Sequence, residues 1–231
     1  MTDWRYSRAA PSPHYHALLE MYRQMHGDGY RLVVDNAERR QTGDEAFPGD
    51  QLQGYLGAVR VLVDETGART LLDYGTGKGR QYADNLTITT GEGQVFHGIR
   101  QFLGVERIDT WEPALGQRTP PPRCDGVVCT DVLEHCFAAD LPWIVDELFA
   151  LAGKFVFASI ACGPAAARLP NGENAHITLR PAAWWQGVFD ATSSRHGDCD
   201  YLICCMTTEG VQWHRRARYE TEITAATRFE R

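Results

Sequence analysis

The sequence predicts an α/β fold: a mostly parallel sheet with helices on both faces, ending in an antiparallel terminal hairpin. Three observations carry that expectation. Short apolar runs recur from residue 70 onward as "TLLDY", "RIDTWEP", "CDGVVCTDV" and "KFVFASIAC". Segments with helical character separate several of them, and strand–helix alternation is the pattern of a parallel sheet. Finally, "YLICCMTT" and "VQWHRRARYET" stand on either side of Glu209 and Gly210, which reads as a hairpin.

Each element has its own signal. Residues 14–26 carry Leu18, Leu19, Tyr22 and Met25 at helical spacing, and Gly27 and Gly29 stop that helix. Residues 30–49 are polar and weakly patterned, and read as a mobile connection. A second helix follows, because Leu52, Tyr55, Leu56, Val59, Leu62 and Val63 fall on one stripe, with Asp50 as its cap and Gly67 at its end. "TLLDY" is a buried strand and "GRQYADNL" begins a helix. "DLPWIVDELFALAG" is an amphipathic helix that Gly153 ends, and Pro181 opens a short helix over 181–190. The chain thus divides into an aromatic, helical N-terminal segment over 1–49 and a main domain over 50–231.

Composition narrows the function classes. Net charge is −7 and the densest basic run is "RRAR" (Arg215 to Arg218), a poor basis for neutralising a nucleic-acid backbone. No apolar stretch approaches a membrane span and the N-terminus lacks a signal-peptide core, so a cytoplasmic location is expected. Seven cysteines are an odd number without C-x-x-C spacing, and several lie in apolar runs. Neither disulfides nor a metal site is expected from them. The 21 arginines against two lysines, Lys78 and Lys154, read as codon bias.

The chemistry concentrates in "LLDYGTGKGRQY". A phosphate-binding Walker loop needs glycine where Leu72 stands and Ser or Thr where Gly79 stands. A dinucleotide fingerprint needs glycine where Arg80 stands. What is present is Asp73-Tyr74-Gly75-Thr76-Gly77-Lys78-Gly79, an acid-x-G-x-G-x-G turn at a strand's carboxyl end, where open α/β sheets bind ligands. An acid just before the glycines suits a cation better than a phosphate.

This turn resembles the first motif of the class I S-adenosylmethionine (SAM) dependent methyltransferases, whose fold is Rossmann-like. The resemblance implies that Asp73, Tyr74, Gly75, Thr76, Gly77 and Gly79 hold the cofactor. In that family an acid ending the second strand holds the ribose hydroxyls, and Glu112 in "IDTWEPAL" occupies that place. "CDGVVCTDVLEHC" is similar to the family's fourth-strand motif, which would set Thr130 and Asp131 beside the methionine part. Leu133, Glu134 and His135 would then lie at the following turn, next to the substrate. The resemblance covers about residues 68–165.

One departure is plain. Only twelve residues separate Glu112 from Asp125, four of them proline, and a parallel crossover needs at least that many by itself. One strand is therefore expected to be missing, together with the acid that would read adenine. The N-terminal helices or "TITTGEGQVFHGIRQFLGV" are candidates to fill the gap.

Reaction candidates follow. His135 is a candidate base, and equally a residue that caps or packs at a helix start. Asn174 and His176 lie in the polar "LPNGENAHITLRP" after the fourth strand. Trp4, Tyr6, Tyr15, Tyr22 and Tyr30, interleaved with histidines, suggest a lid whose rings attract a sulfonium; Tyr22 and Tyr30 are its candidate functional residues. The leading expectation is methyl transfer from SAM to a small-molecule substrate, with no nucleic-acid or membrane partner. The alternative is cyclisation of SAM as sole substrate to azetidine-2-carboxylate, releasing methylthioadenosine. A third is a SAM-binding protein without turnover.

Overall fold

A computed structural model describes residues 5–35, 37–83, 86–117, 119, 121–216 and 224–225. Trp4 and residues 217–221 of the expected terminal strand, Arg218 included, lie outside them.

The principal sheet is built from β3 (Thr70–Tyr74), β6 (Arg107–Trp111), β7 (Cys124–Thr130), β8 (Ala152–Ala161), β10 (Asp200–Thr207), β11 (Gly210–Arg216) and the two-residue β12 (Thr224–Ala225). Its order is β12-β11-β10-β8-β7-β3-β6. The five strands from β6 to β10 run parallel, and β11 returns antiparallel to β10 as the expected hairpin.

Period-two alternation explains why the sheet is covered on both sides. Leu72, Val127, Val156 and Ile203 face a core with α4 (Leu141–Leu151) and α5 (Ala182–Ser193). Their neighbours Leu71, Val128, Phe157 and Leu202 face a second core with α2 (Leu56–Thr66) and α3 (Ile99–Leu103). Strands buried on both faces read as continuous apolar runs, which is how they stood out in the sequence. No helix of the described residues is long and apolar enough to cross a membrane.

Five expectations need correction. The first helix runs through Gly27 and is closed by Gly29 alone. Residues 30–49 are not a featureless connection: β1 (Tyr30–Val34) and β2 (Ala37–Gln41) form a hairpin, joined by β9 (Ala167–Arg168) into a small antiparallel sheet. Its charged side chains face solvent on an exposed ribbon, so it lacks the apolar alternation of a half-buried strand. "GRQYADNL" does not start a helix. A 3-10 turn at Arg80–Tyr82 ends in extended backbone at Ala83, and a hairpin of β4 (Thr87–Thr89) and β5 (Val95–His97) follows. The β-branched "TITT" favours strand over helix there. Asp50 stands before a 3-10 turn at Gln51–Tyr55 and makes no side-chain cap hydrogen bond. Gly153 does not end α4, which stops at Leu151; the glycine lies inside β8.

Between β6 and β7 the described residues hold a 3-10 turn at Pro113–Leu115 and no strand, so β6 is the sheet edge. Helix α1 (Pro13–Asp28) packs against that turn. Its start is pinned from outside. Asp140 is fully buried and accepts from Ser12 N at 2.9 Å, Ser12 Oγ at 2.5 Å and Trp143 Nε1 at 2.9 Å. Just upstream, Arg8 grips Glu147 with both arms of its guanidinium and lies 4.6 Å over the Trp111 ring. A bidentate pair beside an aromatic face holds a segment in one place better than a lone surface charge.

Candidate active site

The carboxyl ends of β3, β6 and β7 open into a cleft, and α1 forms its opposite wall. Tyr15, Leu18, Leu19 and Tyr22 of α1, with Phe47 and Phe137, give the wall its apolar character. The sheet side supplies Tyr74, Gly75, Gly77, Trp111, Glu112, Asp131 and His135.

The turn after β3 is held by its own amides. Gly75 N and Thr76 N donate to Trp111 O at 2.8 and 3.2 Å, and Gly77 N donates to Glu112 Oε2 at 3.0 Å. Lys78 N, Arg80 N and Gln81 N donate to the carbonyls of Phe47, Pro48 and Gly49, while Gly79 N and Tyr82 N close turns within the loop. Eight consecutive amides are thus engaged, so the loop presents no open nest for a phosphate. Glycine is required at two positions in particular. Gly75 has φ +82° and a Cβ there would lie 2.4 Å from a Val132 methyl; Gly77 has φ +59° and a Cβ would lie 2.7 Å from Phe47 O. The bareness of this turn therefore also serves close approach by the 47–49 chain.

Asp73 is buried beneath the loop. Its Oδ2 accepts from Thr76 Oγ1 at 2.8 Å, Tyr82 OH at 2.8 Å and Gln81 Nε2 at 3.2 Å, while Oδ1 is buried without a partner. Burial raises its pKa against the pull of those three donors. Asp73 and Thr76 organise the turn from below and do not line the cleft, nor does Gly79. Tyr74 does line it, with its ring 4.5 Å from Trp111 and its hydroxyl donating to Glu147 at 2.8 Å.

Glu112 lines the cleft and bridges two turns, accepting from Gly77 N and from Ala114 N at 3.0 Å each. Burial pushes its carboxyl from 4.5 to about 7. Each of its oxygens keeps a lone pair for a further donor, as a diol would need. Asp131 follows β7 with φ +54°, held by Ser159: its N donates to Ser159 O and Oγ at 3.1 Å, and Ser159 Oγ donates to Oδ1 at 2.8 Å. Thr130 is buried at the strand end and does not line the cleft.

Backbone strain marks the same place. Among the described residues three non-glycines have positive φ: Asp35, Phe47 and Asp131. Asp35 makes the β1–β2 turn; the other two line the cleft. Strain of this kind costs about 1–3 kcal/mol per residue and concentrates at ligand sites.

Of the reaction candidates, Tyr22 and His135 meet, with 2.6 Å between Tyr22 OH and His135 Nδ1. Burial and the neighbouring His176 hold the His135 imidazole neutral, with its pKa lowered to about 3. His176 lies behind His135, ring centres 4.7 Å apart, outside the cleft lining. Asn174 is a clamp: Oδ1 accepts from Ala165 N and His176 N at 3.0 and 2.9 Å, and Nδ2 donates to Ala165 O at 2.8 Å. Tyr30 stacks on Phe47 at 5.0 Å and is not among the cleft-lining residues.

Two residues escaped the sequence reading. Phe47 is a lone aromatic in a polar stretch, and nothing local marks it as a wall. Lys78 sits inside the glycine motif, yet its ammonium donates to the carbonyls of Gly43 and, at 2.9 Å, Ala46, with longer contacts to His26 and Asp44. It thereby ties the end of α1 and the 43–46 loop to the glycine turn. Comparison with protein-family models, with curated proteins and with solved structures returns no match.

Proposed function

We propose that the cleft binds SAM and that the chain is a SAM-dependent enzyme of Rossmann-like, methyltransferase fold, moving a methyl group to a small molecule. One observation carries the reading. The cleft-lining residues include two carboxylates, Glu112 and Asp131, several aromatic rings and no lysine or arginine. Its two histidines are kept neutral, since His26 is lowered to about 4 and His135 to about 3, in each case mainly by burial. An aromatic, electronegative cleft above a turn with no open amide suits a sulfonium nucleoside and disfavours a nucleotide phosphate.

In this reading Glu112 accepts the ribose hydroxyls, and Asp131 faces the ammonium or the sulfonium. Adenine lies toward Pro113 and Ala114, where α1 covers the edge that a third strand would otherwise occupy. Methyl transfer is an in-line displacement, so the residues' main contribution is alignment and exclusion of water. A groove sharing Tyr15, Leu19 and Trp111 with the cleft, and lined also by Arg8, His16 and Arg23, gives a second molecule a way in.

Cyclisation is the second reading, favoured by a mostly apolar lining that carries Tyr22 and His135, 2.6 Å apart, together with Leu18, Val132 and Phe137. In that reaction the α-ammonium gives a proton to water, its nitrogen lone pair attacks Cγ, and the C–S bond breaks with its electrons left on sulfur.

Calorimetry with SAM and S-adenosylhomocysteine tests the binding: heat with both is expected, and silence with both sinks the proposal. Mass spectrometry after incubation with SAM alone separates the reactions. Methylthioadenosine with azetidine-2-carboxylate means cyclisation. Unchanged SAM, followed by S-adenosylhomocysteine once acceptors are screened, means methyl transfer.

A further inference from the structure

At the cleft wall, where His135 lines the space and Glu134 and His176 do not, stands a second cluster to which no part of the nucleoside is assigned. Glu134, His135 and His176 each place one ligand atom within 4.8 Å of the others. We propose that these three residues form a binding site for one first-row divalent transition-metal ion.

Three features argue for a ligand rather than for packing alone. Glu134 is fully buried; Oε1 accepts from Ala161 N at 2.7 Å, whereas Oε2 is buried with no hydrogen-bond partner. A buried carboxylate oxygen without a donor is costly, and a cation is among the groups that relieve the cost. Second, both imidazoles are set for coordination. His176 Nδ1 lies 2.6 Å from Gly163 O, and His135 Nδ1 lies 3.0 Å from Ala175 O. A carbonyl only accepts, so His176 Nδ1 carries the hydrogen. His135 Nδ1 also lies 2.6 Å from Tyr22 OH, whose own hydrogen goes to Ala175 O at 3.2 Å. In that arrangement His135 Nδ1 carries the hydrogen too, leaving both Nε2 atoms a lone pair. Metal-ligating histidines are oriented in this way by carbonyls behind them. Third, the supports are built into the fold. Asn174 fixes His176 N, and Thr178 N donates to Glu134 O at 3.0 Å, tying the two halves of the cluster together.

Two imidazoles and one carboxylate suit Zn²⁺, Fe²⁺, Mn²⁺ or Co²⁺ and leave coordination positions open. Ligand atoms bound to one such ion at about 2.1 Å stand roughly 3.4 Å apart, so small side-chain rotations would close the cluster onto it. His135 also lines the cleft, so the ion would border the space assigned to the reacting groups. The site does not depend on the identity of the nucleoside.

The test is Co²⁺ titration of chelator-treated protein, followed by visible absorption and calorimetry, with Zn²⁺ and Mn²⁺ in parallel. The wild type is expected to take up one equivalent with d–d bands and without thiolate charge-transfer bands. His176→Gln and Glu134→Gln should each weaken binding by tenfold or more. His176 is partly exposed, so its variant should keep the far-ultraviolet circular dichroism of the wild type even if Glu134→Gln does not. Absence of uptake, thiolate bands from the cysteines, or unchanged affinity in a folded His176→Gln would each overturn the site.

Discussion

The turns that follow β3 and β7 sit side by side at the same sheet edge and are built in opposite ways. After β3, eight successive amides from Gly75 to Tyr82 have acceptors, and Asp73 is turned beneath the loop to hold it. After β7, Asp131 is strained, Glu134 keeps an unpartnered oxygen and His135 stands at the cleft. The first turn has its backbone donors engaged, and its orphaned side-chain oxygens, Asp73 Oδ1 and Gln81 Oε1, belong to residues that do not line the cleft. The second sets an orphaned oxygen, Glu134 Oε2, next to His135, which does line it. A motif residue can thus support its turn without lining the cleft, and an orphaned oxygen points to chemistry where it stands beside the cleft.

The largest expected effect comes from breaking the first turn. Gly77→Ala should destabilise the fold by about 2 kcal/mol or more, since a left-handed alanine and a clash with a backbone carbonyl add together. Gly75→Ala should also destabilise, but its clash is with a Val132 methyl. Val132→Ala should therefore rescue part of Gly75→Ala and none of Gly77→Ala. Urea unfolding of the three single variants and the two doubles measures this, and equal rescue would show that the close approach of the 47–49 chain does not govern the turn.

Next is Lys78→Met. Removing an ammonium that holds backbone carbonyls of the N-terminal segment should cost about 1–2 kcal/mol. Its sharper signature is local: hydrogen exchange should rise in residues 24–28 and 43–47 more than in β3. Uniform change across the chain would mean that Lys78 is not the tie between that segment and the loop.

Much of this contrast was legible beforehand. The β3, β6, β7 and β8 runs and the absent strand follow from apolar runs and from a gap too short for a crossover, whereas the glycine turn and Glu112 stand out through their resemblance to methyltransferase motifs. Local spacing does not reveal long-range partners, however. Phe47 lies in a polar stretch, and its place in the wall depends on the β1–β2 hairpin and on Lys78. Asn174 and His176 were singled out as polar loop residues, yet their roles follow from hydrogen bonds to Ala165, Gly163 and the β7 turn. The helix expected after Arg80 failed because Gly79 is left-handed and a β-branched run follows.

Glu112, which joins the β3 turn to the turn after β6, gives a pH-dependent prediction. Its carboxyl is raised from 4.5 to about 7. Between those values the folded state holds more protons than the unfolded one, so this group makes stability fall as pH rises from about 4.5 to 7 and level off above. Nucleoside affinity should change the other way, tightening as the carboxylate ionises and can accept both hydroxyls. Glu112→Gln should flatten the affinity profile and shrink the stability profile, to which buried Glu134, raised to about 8, contributes with the same sign. An unchanged affinity profile in that variant would remove Glu112 from the ribose site.

The smallest effects separate two tyrosines of one aromatic segment. Tyr22 OH lies 2.6 Å from His135 Nδ1 and donates to Ala175 O at 3.2 Å, so Tyr22→Phe strips a buried carbonyl and an imidazole of a partner. A loss of roughly tenfold in turnover is expected, equivalent to about 1.4 kcal/mol. Tyr30 instead contributes its ring to Phe47, so Tyr30→Phe keeps that contact and should leave turnover within about twofold. If both variants lose activity alike, the aromatic segment acts as a single cover; if only Tyr22→Phe does, the hydroxyl beside His135 is what the second turn requires.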